Sequence, residues 1–172
     1  MLVRPAALER IGGIESIRGE IIDDCALARG IKGSGGSVWL GLTATTQSHR
    51  AYDSFAEIER MISRTAFNQL KHSALLLAGT VLGLILTYLL PVGLVLAGAV
   101  SGDVKAIAQG GAAWLLMTIT YLPMVRFYEL NAAWALTLPV AAVFYMAATV
   151  HSAFKHWTGR GGEWKGRAQD QR

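Results

Sequence analysis

From Ser73 to Val100 the chain reads SALLLAGTVLGLILTYLLPVGLVLAGAV, with no charged side chain anywhere in the run. About 20 apolar residues cross a ~30 Å hydrocarbon core as a helix, so the stretch predicts a membrane span. As one straight helix it would measure about 42 Å at ~1.5 Å per residue, longer than that core. It must tilt, project or break, and Pro91 is the predicted breaking point. Beyond the polar turn SGDVK, two more spans are predicted, from about Ala106 to Val125 and from about Leu130 to Val150.

Upstream the pattern changes. Over residues 52–72 the sequence YDSFAEIERMISRTAFNQLKH opens with a Ser54-x-x-Glu57 capping box. Phe55, Ile58, Met61, Ile62, Ala66 and Leu70 then share one helical face, opposite a polar stripe of Glu57, Arg60, Arg64 and Lys71. An amphipathic helix directly before a span is expected to lie along the headgroup plane. Residues 1–51 are soluble in character. PAALERIGG reads as a short helix with Pro5 in its first turn and Gly12-Gly13 as its stop. DDCALARGIKG reads as a helix that begins at the acidic pair Asp23 and Asp24 and ends at Gly33, with carboxylates complementing the dipole. Met1–Arg4 and SVWLGLT, Ser37–Thr43, carry strand formers, so the head predicts a piece of an α/β layer too small to bury a good core alone.

Composition narrows the class. With 52% hydrophobic residues, 16% charged and a mean hydropathy of +0.36, the chain is expected to be an integral membrane protein. The net charge of +4 gathers in the tail, residues 151–172, beside a membrane segment. That placement points to anionic lipid and the cytoplasmic side rather than to nucleic acid. It also creates a conflict, since a cytoplasmic head followed by three crossings would leave the basic tail outside; a hairpin bent at Pro91 would remove it. Cys25, the single cysteine, excludes an intrachain disulfide. Trp114, Tyr121, Tyr128, Trp134, Tyr145 and Trp157 fall toward predicted helix ends, as aromatic belts or as walls of a groove for a lipid.

The order RPAALERIGGI, EIIDDCALARGIK, a glycine-containing turn and SVWLGLT resembles the second half of the catalytic domain of family 2 glycosyltransferases, which have a nucleotide-sugar-binding α/β fold of the GT-A type. The remainder, including RTAFNQL, the apolar block and HSAFKHWTGRGGEWKGR, resembles more narrowly the hopene-associated glycosyltransferases of bacterial hopanoid biosynthesis. The resemblance implies an α-rich membrane protein: an incomplete GT-A-like piece over 1–51, an interfacial helix over 52–72, about three transmembrane helices over 73–150 and a basic tail over 151–172. It implies a multi-pass protein of the bacterial inner membrane with a cytoplasmic head.

By that match Asp24 would be the general base that takes the acceptor hydroxyl's proton, with Asp23 supporting it; the residues alone allow both to be simple helix caps. The family's Gln-x-x-Arg-Trp motif for the donor diphosphate is absent, and Arg60 or Arg64 would substitute. Trp164, Lys165 and Arg167 in the tail would form a clamp over the catalytic face. A divalent cation, Mg or Mn, is implied for the full-length family, but this chain has no Asp-x-Asp and no metal ligands are assigned in it. The expectation is therefore a C-terminal portion of an inverting enzyme, inactive by itself, acting between a nucleotide-sugar donor and a lipid acceptor. The alternative is a noncatalytic membrane scaffold or assembly subunit.

Overall fold

A computed structural model describes residues 1–46 and 52–159 and the backbone of residues 163–164 and 167–168. The chain divides into two compact units, Met1–Thr45 with the short ladder near the C-terminus, and Thr46–Gly161. Helices α1 (Pro5–Arg10) and α2 (Asp23–Gly33) belong to the first; α3 (Phe55–Gln69), α4 (Ala74–Leu84), α5 (Leu90–Ser101), α6 (Val104–Phe127) and α7 (Leu138–Trp157) build the second.

In the first unit, α1 has Pro5 at its start and stops where Gly12 and Gly13 take positive φ, with the Gly13 N–H donating to Leu8 O at 3.0 Å. A single 3-10 turn, Ile14–Ile17, leads to α2, whose Ala26, Leu27 and Ile31 are buried. Gly35, at φ 79°, turns the chain left-handed after α2, and the Gly36 N–H reaches back to Ile31 O at 2.9 Å. Gly36 has to be glycine here, because a Cβ would stand 2.8 Å from that same carbonyl.

The expected α/β layer is not seen among the described residues. Met1–Arg4 and Ser37–Thr43 form no ladder, and Trp39 and Leu40 are 85% and 96% exposed. Strand propensity alone does not make a strand: the backbone needs a partner to exchange hydrogen bonds with, and the described part of this unit supplies none. The strands that are present, β1 (Glu163–Trp164) and β2 (Arg167–Ala168), are two residues each and pair antiparallel.

The second unit is helical. Ser54 caps α3 by accepting from the Glu57 N–H at 3.3 Å, while Glu57 Oε2 accepts from the Asp53 N–H, so the predicted capping box closes one residue further back. Helices α4 and α5 are one continuous run, Ala74–Ser101. Pro91 does not break it, contrary to the bent hairpin offered by the charge argument. Instead the turn Ile85–Leu89 widens to π geometry, with the Leu90 N–H bonding to Ile85 O. The wide turn lies just where the proline ring would press on the carbonyl four residues earlier, so the strain is absorbed without a kink. Gly102, at φ 74°, and the Asp103 cap then turn the chain into α6.

Two stretches are long and apolar enough to cross a membrane, Ala74–Ser101 and Ala132–Trp157, with mean hydropathies of 2.3 and 1.7. The latter joins a 3-10 turn, Ala132–Thr137, to α7, with Pro139 in the first turn of the helix. Between them α6 is 24 residues long but carries Lys105, Gln109 and Arg126, which dilute its hydropathy. The Trp114 indole of α6 donates to Leu136 O at 3.2 Å and ties the 3-10 turn to its neighbour.

The corner between α3 and α4 is tight. Lys71 and His72 both take positive φ, and their N–H groups bond to Asn68 O and Phe67 O in the reciprocal pattern that ends many helices. The His72 ring stacks on His156 of α7, centroids 4.1 Å apart, and the buried Phe67 ring meets both edge-on. Loss of water from the covered ring face, and then the charge of His156, hold the His72 pKa below its ordinary 6.5. The unfolded chain therefore takes up this proton first as pH falls. Stability contributed here is intact above about pH 6.5 and declines between that value and the lowered pKa. The melting temperature should drop on acidification through this window, and His72→Gln should flatten the drop; an identical profile in the variant would remove His72 as the cause.

Candidate functional site

The two acidic residues singled out above stand in the first turn of α2, both exposed. Asp24 Oδ1 accepts from the Cys25 N–H at 2.7 Å and Asp23 Oδ1 from the Asp24 N–H at 3.0 Å. Neither is the N-cap, which is Ile22 with no side-chain bond. Each carboxylate thus uses one oxygen on the helix N-terminus and presents the other outward, an arrangement that keeps an accepting anion available to a hydroxyl. Beside them a polar groove of about 450 Å³ runs between α1 and α2, lined by Arg10, Ser16, Glu20, Arg29 and Ser34 but by neither aspartate.

Of the expected donor-binding residues, Arg60 and Arg64 lie one turn apart on α3. Arg60 is exposed and pairs with Glu57 at 3.7 Å, and Arg64 is half-buried. Lys71, expected on the same stripe, lies past the end of the helix. Trp164 stands directly opposite Arg167 in the β1–β2 ladder, and Lys165 lies outside the described residues. Among the described residues no group of three His, Cys, Asp or Glu could hold a metal ion, so the cation implied by the resemblance finds no ligand set there.

A second constellation, which the sequence analysis did not pick out, joins α3 to α7. His151 Nδ1 is 2.6 Å from Glu59 Oε1, and Lys155 Nζ donates to Ser63 Oγ at 2.9 Å. Both pairs share the same sequence offset, so the two helices run parallel, side by side, with Phe55 against Phe144 at one end and Phe67 against Trp157 at the other. Ser63, Phe67, Ala148, Ser152 and Ala153 are buried along this seam, where small residues on α7 let the helices close and Ser152 Oγ accepts from the Phe67 N–H at 3.0 Å. The amphipathic helix thus lies lengthwise along the C-terminal half of α7. The available signal was the four-residue spacing in Glu59/Ser63 and His151/Lys155, two polar pairs one helical turn apart.

His151 also stands at the edge of an open groove of about 630 Å³, whose remaining wall is apolar: Val81 and Ile85 on one side, Met146, Val150 and Phe154 on the other. Sites of this size accommodate small organic ligands. A carboxylate only accepts, so the short contact to Glu59 puts the proton on His151 Nδ1 and leaves Nε2 for another partner.

Comparison with known proteins decides the family, since the family model of glycosyl transferase family 21 matches residues 1–170. The chain belongs to glycosyltransferase family 21. The sequence had suggested family 2; the glycosyltransferase assignment stands and the family number is corrected. No curated protein and no solved structure matches the chain significantly. Membership in family 21 over nearly the whole length favours sugar transfer over the noncatalytic scaffold.

Proposed function

We propose that this family 21 chain belongs to a membrane-bound inverting glycosyltransferase, which passes a sugar from a nucleotide-sugar donor to a lipid or other hydrophobic acceptor. The observation that carries the reading is the run Ala74–Ser101, which is apolar on all sides while only 11% of its span window is covered by protein. A helix so apolar and so bare needs hydrocarbon around it, and a transferase embedded there draws its acceptor from the bilayer. In this reading the enzyme is a multi-pass protein of the bacterial inner membrane with its head in the cytoplasm, and hopanoid metabolism is the setting implied by the resemblance.

Asp24 is the base in this reading. Its carboxylate accepts the acceptor's hydroxyl proton while the oxygen bonds to the anomeric carbon, and the bond from that carbon to the nucleoside diphosphate breaks on the opposite face. Asp23 shares the helix N-terminus with it. Arg60 and Arg64, with Trp164, Lys165 and Arg167, are assigned to the donor's diphosphate. The resemblance assigns a divalent cation to the whole enzyme; its ligands are not assigned to residues of this chain.

The test uses membranes from cells that carry the gene and from cells that lack it. Incubated with radiolabelled nucleotide sugars, the first should place label in the organic-soluble lipid fraction and the second should not. Equal lipid label without the gene, or label confined to water-soluble products, would overturn the proposal.

A further inference from the structure

We propose that the groove between α4 and α7 holds the hydrocarbon chain of a lipid alcohol, with His151, fixed by Glu59, receiving the hydrogen bond of the alcohol's hydroxyl. The inference deepens the function proposed above by assigning the acceptor's binding site to named residues. It rests on that reading for the fate of the hydroxyl, but not for the binding itself.

The chemistry of the groove selects its occupant. Val81, Ile85, Met146, Val150 and Phe154 offer only hydrocarbon contact, so what lies along them is a chain. At the edge, His151 has its Nδ1 committed to Glu59 and presents Nε2 as an acceptor, which calls for a donor on the ligand. An anionic headgroup would meet that lone pair and the Glu59 carboxylate. A cationic one would meet Lys155, one turn further along α7 on the seam with α3 and bonded to Ser63. The neutral donor left is a hydroxyl. Glu59 reaches His151 from α3, so it is a positioning residue: without it the imidazole could turn or take the other tautomer. The same contact ties the occupancy of the groove to the α3–α7 seam.

The experiment uses the full chain in lipid nanodiscs, without nucleotide sugar, and two photoreactive probes, a long-chain primary alcohol and its methyl ether. Both carry the photoreactive group in the hydrocarbon chain. The alcohol should label the Met146–Phe154 segment up to about tenfold more efficiently than the ether, the range of one neutral hydrogen bond. His151→Ala should bring the two probes level, Glu59→Ala should do most of the same, and Glu59→Gln, which keeps an accepting oxygen, should retain part of the preference. Ile85→Trp should suppress labelling by both probes. Equal labelling by alcohol and ether in the wild type, or labelling indifferent to His151→Ala and Ile85→Trp, would mean surrounding lipid only and would overturn the proposal. Because no sugar is transferred in this assay, a chain inactive toward nucleotide sugars can still pass it. Intact transfer with no alcohol preference would instead sink this inference alone.

Discussion

Asp24→Asn is expected to reduce sugar transfer by about 10²–10⁴-fold, the range for removing a general base, while leaving the melting temperature close to that of the wild type. The amide keeps an oxygen that can accept from the Cys25 N–H, so the first turn of α2 retains its local bond. What disappears is the ability to take a proton. Asp23→Asn should cost far less, because its carboxylate is engaged with the backbone of Asp24 rather than assigned to the reaction. The pair separates the two readings of an acidic helix start. Lowered thermal stability with undiminished transfer in Asp24→Asn would make the residue a dipole partner and nothing more. Loss of transfer with unchanged folding would leave it as the base.

The parts of the fold that rest on neighbouring residues were legible in the sequence. Ser54 and Glu57 are three apart, and a capping box needs nothing beyond that spacing. Pro5, the Asp23–Asp24 pair and the Gly102 turn likewise express local stereochemistry. Where a feature depends on a distant partner, the sequence misled or stayed silent. SVWLGLT has the composition of a strand, yet the described residues beside it offer no edge to pair with. Pro91 reads as a break, but a single π turn from Ile85 to Leu89 lets the helix run on, since the residues around it suit helix equally well on either side. The site divides along the same line. Asp23 and Asp24 were found through their own helix start, whereas Glu59 and His151 gain meaning only from the parallel register of α3 on α7, which no local pattern encodes.

Gly110→Val is expected to separate α5 from α6, at a cost of about 3 kcal/mol or more, the upper end for forced overpacking. The reason is the identity of what the new side chain would strike. A Cβ at Gly110 would lie 2.4 Å from Pro91 O and 3.0 Å from Val95 N, both backbone atoms of the facing helix, which cannot rotate aside as a side chain would. Gly98 makes the same close approach from the other helix, 2.8 Å from Asp103 O, so the two glycines hold the hairpin on either side of the Gly102 turn. Nothing stands within 4 Å of a Cβ at Gly111, which makes Gly111→Val a control of equal volume and equal helix propensity at the adjacent position. Thermal unfolding of the detergent-solubilised chain, and cross-linking of cysteines placed across the α5–α6 contact, should fail in Gly110→Val and persist in Gly111→Val. If both variants behave alike, the hairpin is held by its apolar surface and the Asp103 cap rather than by backbone contact at the glycines. If they differ as expected, the geometry that keeps the long helix Ala74–Ser101 in place, and with it the Val81 and Ile85 wall of the groove, depends on one missing methyl group.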